Sequence, residues 1–141
     1  MARSHVAQSG IGRRSQTLVI EGGLPTLNEY INAERTNRHK AAKLKKATEV
    51  VIQVFIKKSK LKPIQSYPVD MAYFWYCRDR RTDKSNISSI GIKFIEDSLQ
   101  KAKILRNDGW KEINEMTNSY LVDKKKPRIE VVLIERGTGA A

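Results

Sequence analysis

Two aspartates bracket one helical pattern of apolar residues. Asp83 lies in the stretch R-R-T-D-K-S-N and Asp108 in R-N-D-G-W, and between them Ile87, Ile90, Phe94, Ser98 and Ala102 recur at helical spacing. Most other acids sit among opposite charges on expected surfaces, which singles these two out as candidates to carry chemistry. A helix of roughly 16 residues is about 24 Å long, so Asp83 and Asp108 share a site only if strands and loops fold back on it. Taken alone, Asp83 also suits a helix N-cap or an Asx-turn, and Asp108-Gly109 suits an ordinary turn. Lys93 and Asp97 stand four apart on a shoulder of the same helix, where an exposed ion pair contributes roughly a few tenths of a kcal/mol. Asn28, in L-P-T-L-N-E-Y, reads as a turn residue. Cys77 and His39 lack the partners that a nucleophile or a metal site needs, and neither is assigned to catalysis.

The elements that must position these residues follow from periodicity. Residues 1–16 are polar and Gly/Ser-rich and read as a flexible arm; residues 137–141, G-T-G-A-A, read as a flexible tail. Thr17–Glu21 is a short strand stopped by Gly22-Gly23. Pro25 opens a polar connection running to about Arg38. From about Asn37 to Lys60 the pattern is helical, with Leu44, Val51 and Phe55 on one stripe and Ala41, Ala47, Thr48 and Ile52 beside it. Tyr67–Arg78 is rich in aromatic and β-branched residues and reads as a central strand, with Val69, Met71, Tyr73, Trp75 and Cys77 on one face. The helix between the two aspartates is expected from about Asn86 to Ala102. Trp110–Val122 and Arg128–Glu135 then read as strands joined by a turn at Asp123–Pro127. The order β-α-β-α-β-β predicts a single α+β domain, residues 17–136, with a mixed sheet and two main helices.

Composition narrows the function. The chain has 141 residues, with 27 Lys or Arg against 15 Asp or Glu, a formal charge of +12. A balance this basic points to a polyanionic partner, nucleic acid first. The stretch 33–62 concentrates it, with ten Lys or Arg against two Glu. One cysteine excludes an intrachain disulfide, and with two histidines it cannot build a structural zinc site. No apolar run approaches the roughly 20 residues of a membrane span, and no apolar signal-peptide core is seen, so a cytoplasmic protein without membrane partners is expected.

Three blocks now stand out: GGLPTLNEYINAERTNRHKAAKLKK at 22–46, RRTDKSNISSIGIKFIEDSLQKAKIL at 80–105, and NDGWKEI at 107–113. In this order and spacing the chain resembles the RusA family of Holliday-junction resolvases, particularly the shorter versions encoded by phages and prophages, over about Leu18 to Glu135. The family signature is D-x-D-N, then a helix bearing a Lys and D-x-L, then a second acidic site written D-D or N-D. By position, Asp83 matches the first Asp and Asn86 the Asn. Lys93 matches the helix Lys, Asp97-Ser98-Leu99 matches D-x-L, and Asn107-Asp108 matches the second acidic site. One position departs: Ser85 stands where the family has its second Asp.

The resemblance implies a Mg²⁺-dependent endodeoxyribonuclease acting as a homodimer on four-way junctions in the cytoplasm of a bacterial host, without a small-molecule cofactor. Asp83 and Asp108 would hold the metal, and Lys93 would place a positive charge near the scissile phosphate. Asn28, Asn86, Asp97 and Asn107 would support them, with Asp97 ordering Lys93. Ser85 replaces a full negative charge by a hydroxyl, so the expectation is junction binding with poor or absent cleavage. Phosphate contacts are expected from Arg35, Arg38, Lys40, Lys43, Lys45, Lys46, Arg80 and Arg81. The rival is a DNA-binding module with its metal site abandoned. A further reading, single-stranded RNA stacked on aromatics, requires Tyr73, Trp75 or Tyr76 at the surface.

Overall fold

The computed structural model describes residues 14–136, with Leu27 described by its backbone alone. Four strands and three helices follow in the order β1 (Arg14–Glu21), α1 (Leu27–Thr36), α2 (Arg38–Lys58), β2 (Val69–Cys77), α3 (Lys84–Lys101), β3 (Ile113–Val122) and β4 (Arg128–Glu135). The α+β class and the single domain are as expected. Two boundaries differ by three residues, the others by two or fewer. Residues 14–16, expected in the arm, extend β1 and pair with Leu133, Ile134 and Glu135 of β4. β3 starts at Ile113 and not at Trp110, because the amides of Glu112 and Ile113 both bond to the Gly109 carbonyl and close a turn there. The rest of the arm, and the tail, lie outside the described residues.

The third helix, α1, occupies what reads in sequence as a connection. Its N-terminus is a capping box: the Thr26 hydroxyl accepts from the Glu29 amide and the Glu29 carboxylate accepts from the Thr26 amide. Asn37 then ends α1 and caps α2, accepting from the His39 amide at 2.7 Å.

The sheet order is β1-β4-β2-β3, with β4 antiparallel to β1 and β2, and β3 parallel to β2. A parallel β2–β3 pair needs a crossover, and α3 supplies it. The core joins Leu18 and Ile20 of β1, the Val69–Trp75 face of β2, and Ile129, Val131 and Leu133 of β4 to Ile52 and Ile56 of α2 and Phe94, Ile95 and Leu99 of α3. The inner face of α2 is Ala41, Thr48, Ile52 and Ile56, while Val50, Val51 and Val54 are exposed. The sequence 50–56, VVIQVFI, is apolar nearly all round, so periodicity could not select the phase that packing takes. At α3, Gly91 lets the helix close on β2: a Cβ there would lie 3.0 and 3.1 Å from Trp75 ring carbons. Among the described residues no helix is long and apolar enough to cross a membrane.

Candidate functional site

Asp83 is the N-cap of α3 with extended backbone, yet its side chain makes no capping hydrogen bond. Its exposed carboxylate is therefore left for another partner. It lines a cleft of about 830 Å³ between the 79–85 loop and the end of β3, where Ser85, Arg80, Lys84 and Tyr120 also contribute. Tyr120 is fixed there by a 2.7 Å hydrogen bond to the Ser88 hydroxyl, and the Lys84 ammonium lies 5.5 Å from its ring centre. Asp79, in the same cleft, is engaged: it accepts from the Arg81 amide at 3.0 Å and lies 3.8 Å from the Arg81 guanidinium.

The remaining signature residues gather elsewhere. Asn86 turns its carbonyl oxygen to the Asn28 amide at 2.8 Å, so it satisfies a free N–H at the start of α1 and ties α1 to α3. Lys93 pairs with Asp97 at 3.4 Å. Asp108, half-buried, has its amide held by the Asn107 side chain at 2.9 Å. Its charge is felt by Glu96 and Tyr73, whose side chains share a buried 2.7 Å hydrogen bond. Burial pushes the Glu96 carboxyl up; the Tyr73 hydroxyl opposes this, Asp108 adds to it, Lys93 opposes it and Asp97 adds again. Burial also pushes the Tyr73 hydroxyl well above its ordinary range, reinforced by Glu96 and Asp108.

One chain thus splits the expected site. Asp83 and Ser85 stand at the N-terminal end of α3, and Lys93, Asp97 and Asp108 toward its other end with Glu96. Asp83 and Glu96 are about 20 Å apart along the helix. Among the described residues no three His, Cys, Asp or Glu side chains are grouped to hold a metal ion. Asp83 fits a hard cation in ligand type, but its cleft holds no second uncommitted carboxylate, so a complete Mg²⁺ site is not assembled within one chain.

The expected phosphate contacts divide as well. Arg35 lies in the last turn of α1; Arg38, Lys40, Lys43 and Lys46 are exposed on α2, with Lys45 half-buried. Arg80 and Arg81 are exposed beside the Asp83 cleft. A second basic group, taken in sequence only as a turn, follows directly on the β3 residues that line the cleft: Lys124, Lys125 and Lys126. The Asp123 amide bonds to the Cys77 carbonyl at 2.8 Å, which places this turn beside the start of the 78–83 loop. Asp123 also accepts from the Lys126 amide and the Arg128 guanidinium, which holds the turn in shape. A three-lysine run between strands was the available signal. Tyr73 and Trp75 are buried, so they offer no stacking platform for single-stranded RNA, while Tyr76 is half-buried with the Arg128 guanidinium 3.8 Å from its ring centre.

Comparison with models of protein families finds no match, and comparison with curated proteins finds none.

Proposed function

We propose that the chain is a Mg²⁺-dependent endodeoxyribonuclease of the RusA type that binds four-way junctions and related branched DNA, with cleavage attenuated at Ser85. The observation that carries this reading is the Asp83 cleft: a carboxylate unused in capping, between Arg80 and Lys84 and beside the lysine turn. Cations around an acidic cleft draw phosphates to it and set the backbone across it. A divalent ion bound there would lower the pKa of a bound water and neutralise charge on the phosphate. Asp83 would be its anionic ligand in this cleft, and Ser85 contributes a neutral hydroxyl where the family has a carboxylate. Lys93, paired with Asp97 and close to Glu96 and Asp108, forms the other half of the machinery.

A non-catalytic junction-binding module is the second reading, favoured by Ser85 together with the absence of Asp108 from the cleft. A labelled four-way junction with Mg²⁺ separates the two, with binding read by gel shift and cleavage on a denaturing gel for the chain and for Ser85→Asp. Equal binding by both is expected, with cleavage by Ser85→Asp raised on the order of 10- to 100-fold. If both bind and neither cuts, the module reading takes its place.

A further inference from the structure

α2 carries two apolar stripes, and the core uses one of them. Ile52 and Ile56 face inward, whereas Val50, Val51 and Val54 are exposed, Val50 and Val54 by half or more. Valine is a poor helix former, so local structure does not explain three of them on an outer helical face. This apolar patch has a charged border. Lys46 precedes Val50 by one turn and Lys57 follows Val54 by one turn, so the four lie along one stripe about 16 Å long. At the same end as Lys57, the Lys58 ammonium lies 5.4 Å from the Phe55 ring centre.

Beside the stripe runs a groove of about 430 Å³, lined by these four residues, by Glu49 and Gln53, and by Lys101 of α3. Its floor is already fixed: Gln53 donates to the Ser98 carbonyl at 2.8 Å, and the Lys101 ammonium donates to Glu49 at 2.6 Å. Glu49 is the only acid of α2 and is committed to that pair. Lys46 and Lys57 enter no ion pair among the described residues. The face is therefore apolar at its centre and positive at both ends.

We propose that this face of α2, with its groove, docks an acidic amphipathic helix of a partner protein. That helix carries apolar residues over its middle two turns and Asp or Glu one turn beyond them at each end. An apolar centre inside a charged rim is the anatomy of a protein interface, and a helix laid along a groove offers anchors at the spacing of this stripe. Charge complementarity selects the occupant. A second copy meeting this face with its own would set lysine ends against lysine ends, in either direction. Residues 1–13 and 137–141 contain no Asp or Glu, so the ends of the chain do not supply the acids. A nucleic acid backbone would pair the lysines but leave the valines against phosphates. This inference stands apart from the nuclease reading, and the face lies away from the Asp83 cleft.

The probe is a fluorescein-labelled synthetic helix of about four turns, with leucines on one face of its middle turns and glutamates toward both ends. Titrated with the full chain, its anisotropy should report binding at least tenfold tighter than that of a scrambled peptide of the same composition. Val50→Thr with Val54→Thr, both at the surface, should weaken binding at least tenfold and leave the far-ultraviolet dichroism and the affinity for a four-way junction unchanged. Lys57→Glu with Lys58→Glu should weaken it too, and a peptide with lysines in place of the glutamates at one end should restore it. Absence of binding, equal binding of the scrambled peptide, or indifference to the valine substitutions would each overturn the proposal. A matching loss of junction affinity in the valine variant would assign the face to DNA instead. A lower sedimentation coefficient in that variant would assign it to a second copy.

Discussion

Glu96 is a carboxyl placed where its charge is costly. Its raised folded-state value means that the native chain holds this proton more tightly than the unfolded chain does. Between the ordinary value of 4.5 and the raised one, the native state binds more protons, so stability falls as pH rises through that window and stays lowered above it. Urea unfolding of metal-free protein against pH should therefore show a loss above pH 4.5 that Glu96→Gln removes, leaving the variant the more stable at neutral pH; an unchanged profile would contradict this origin. Tyr73→Phe takes away the donor that opposes the shift. It should cost about 1–3 kcal/mol, because a buried acceptor is left unpaired, and should push the Glu96 transition further up in pH. Neither residue was legible as part of the site. In F-I-E-D-S the two acids look alike, and only the rotation of α3 against β2 turns Glu96 inward and Asp97 toward Lys93. Asn86 was legible as a marked position, but not its contact, because Asn28 lies 58 residues away.

At the scale of elements, sequence was informative wherever one signal dominated. β2 alternates cleanly between core and outer face over Val69–Trp75, and α3 carries an apolar stripe broken by small residues, so both are found close to their expected bounds. α1 was hidden by Pro25 and three asparagines, although T-L-N-E at 26–29 is a capping-box spelling whose physical meaning is a helix start. The small residues of α3 have their own purpose. Trp75 is fixed by its indole N–H to Asn118 at 2.8 Å and by stacking on Tyr73 at 5.7 Å, so it cannot yield to a methyl group at Gly91. Overpacking of this kind costs about 1–3 kcal/mol, against a gain of about 1 kcal/mol in helix propensity. Gly91→Ala should therefore lower stability, by up to roughly 2 kcal/mol, measured by denaturant unfolding, with a changed near-ultraviolet dichroism from Trp75. A stabilised variant would mean that α3 can lift from β2 at no cost.

For the whole molecule, net charge was legible and its distribution was not. In sequence the basic residues concentrate at 33–62, with Arg80 and Arg81 apart from them. Folded, they form two fields, one on α1 and α2, of which α2 packs against β1, the other around the Asp83 cleft, where strand pairing that no local pattern encodes brings the turn at 123–127 to the end of β2, from which the 78–83 loop starts. The second field is the one aimed at the candidate chemistry, and its lysine turn is held in shape by Asp123 and Arg128 before any ligand arrives. Hydrogen bonds from Arg128 and the Lys126 backbone keep the Asp123 carboxyl below its ordinary value, so the turn stays tied across the neutral range and loosens only as pH falls through that lowered value. Each phosphate contact released by salt contributes about 0.9 to the slope of log affinity against log salt on duplex DNA. Replacing Lys124, Lys125 and Lys126 by Ser should reduce the magnitude of that slope by up to about 2.7 on a four-way junction and weaken binding most at low salt. Replacing Lys57, Lys58 and Lys60, at the far end of α2, should change it far less. Equal losses from the two triples would show that the +12 charge acts as a diffuse field; a loss confined to the turn would place the DNA across the cleft that holds Asp83.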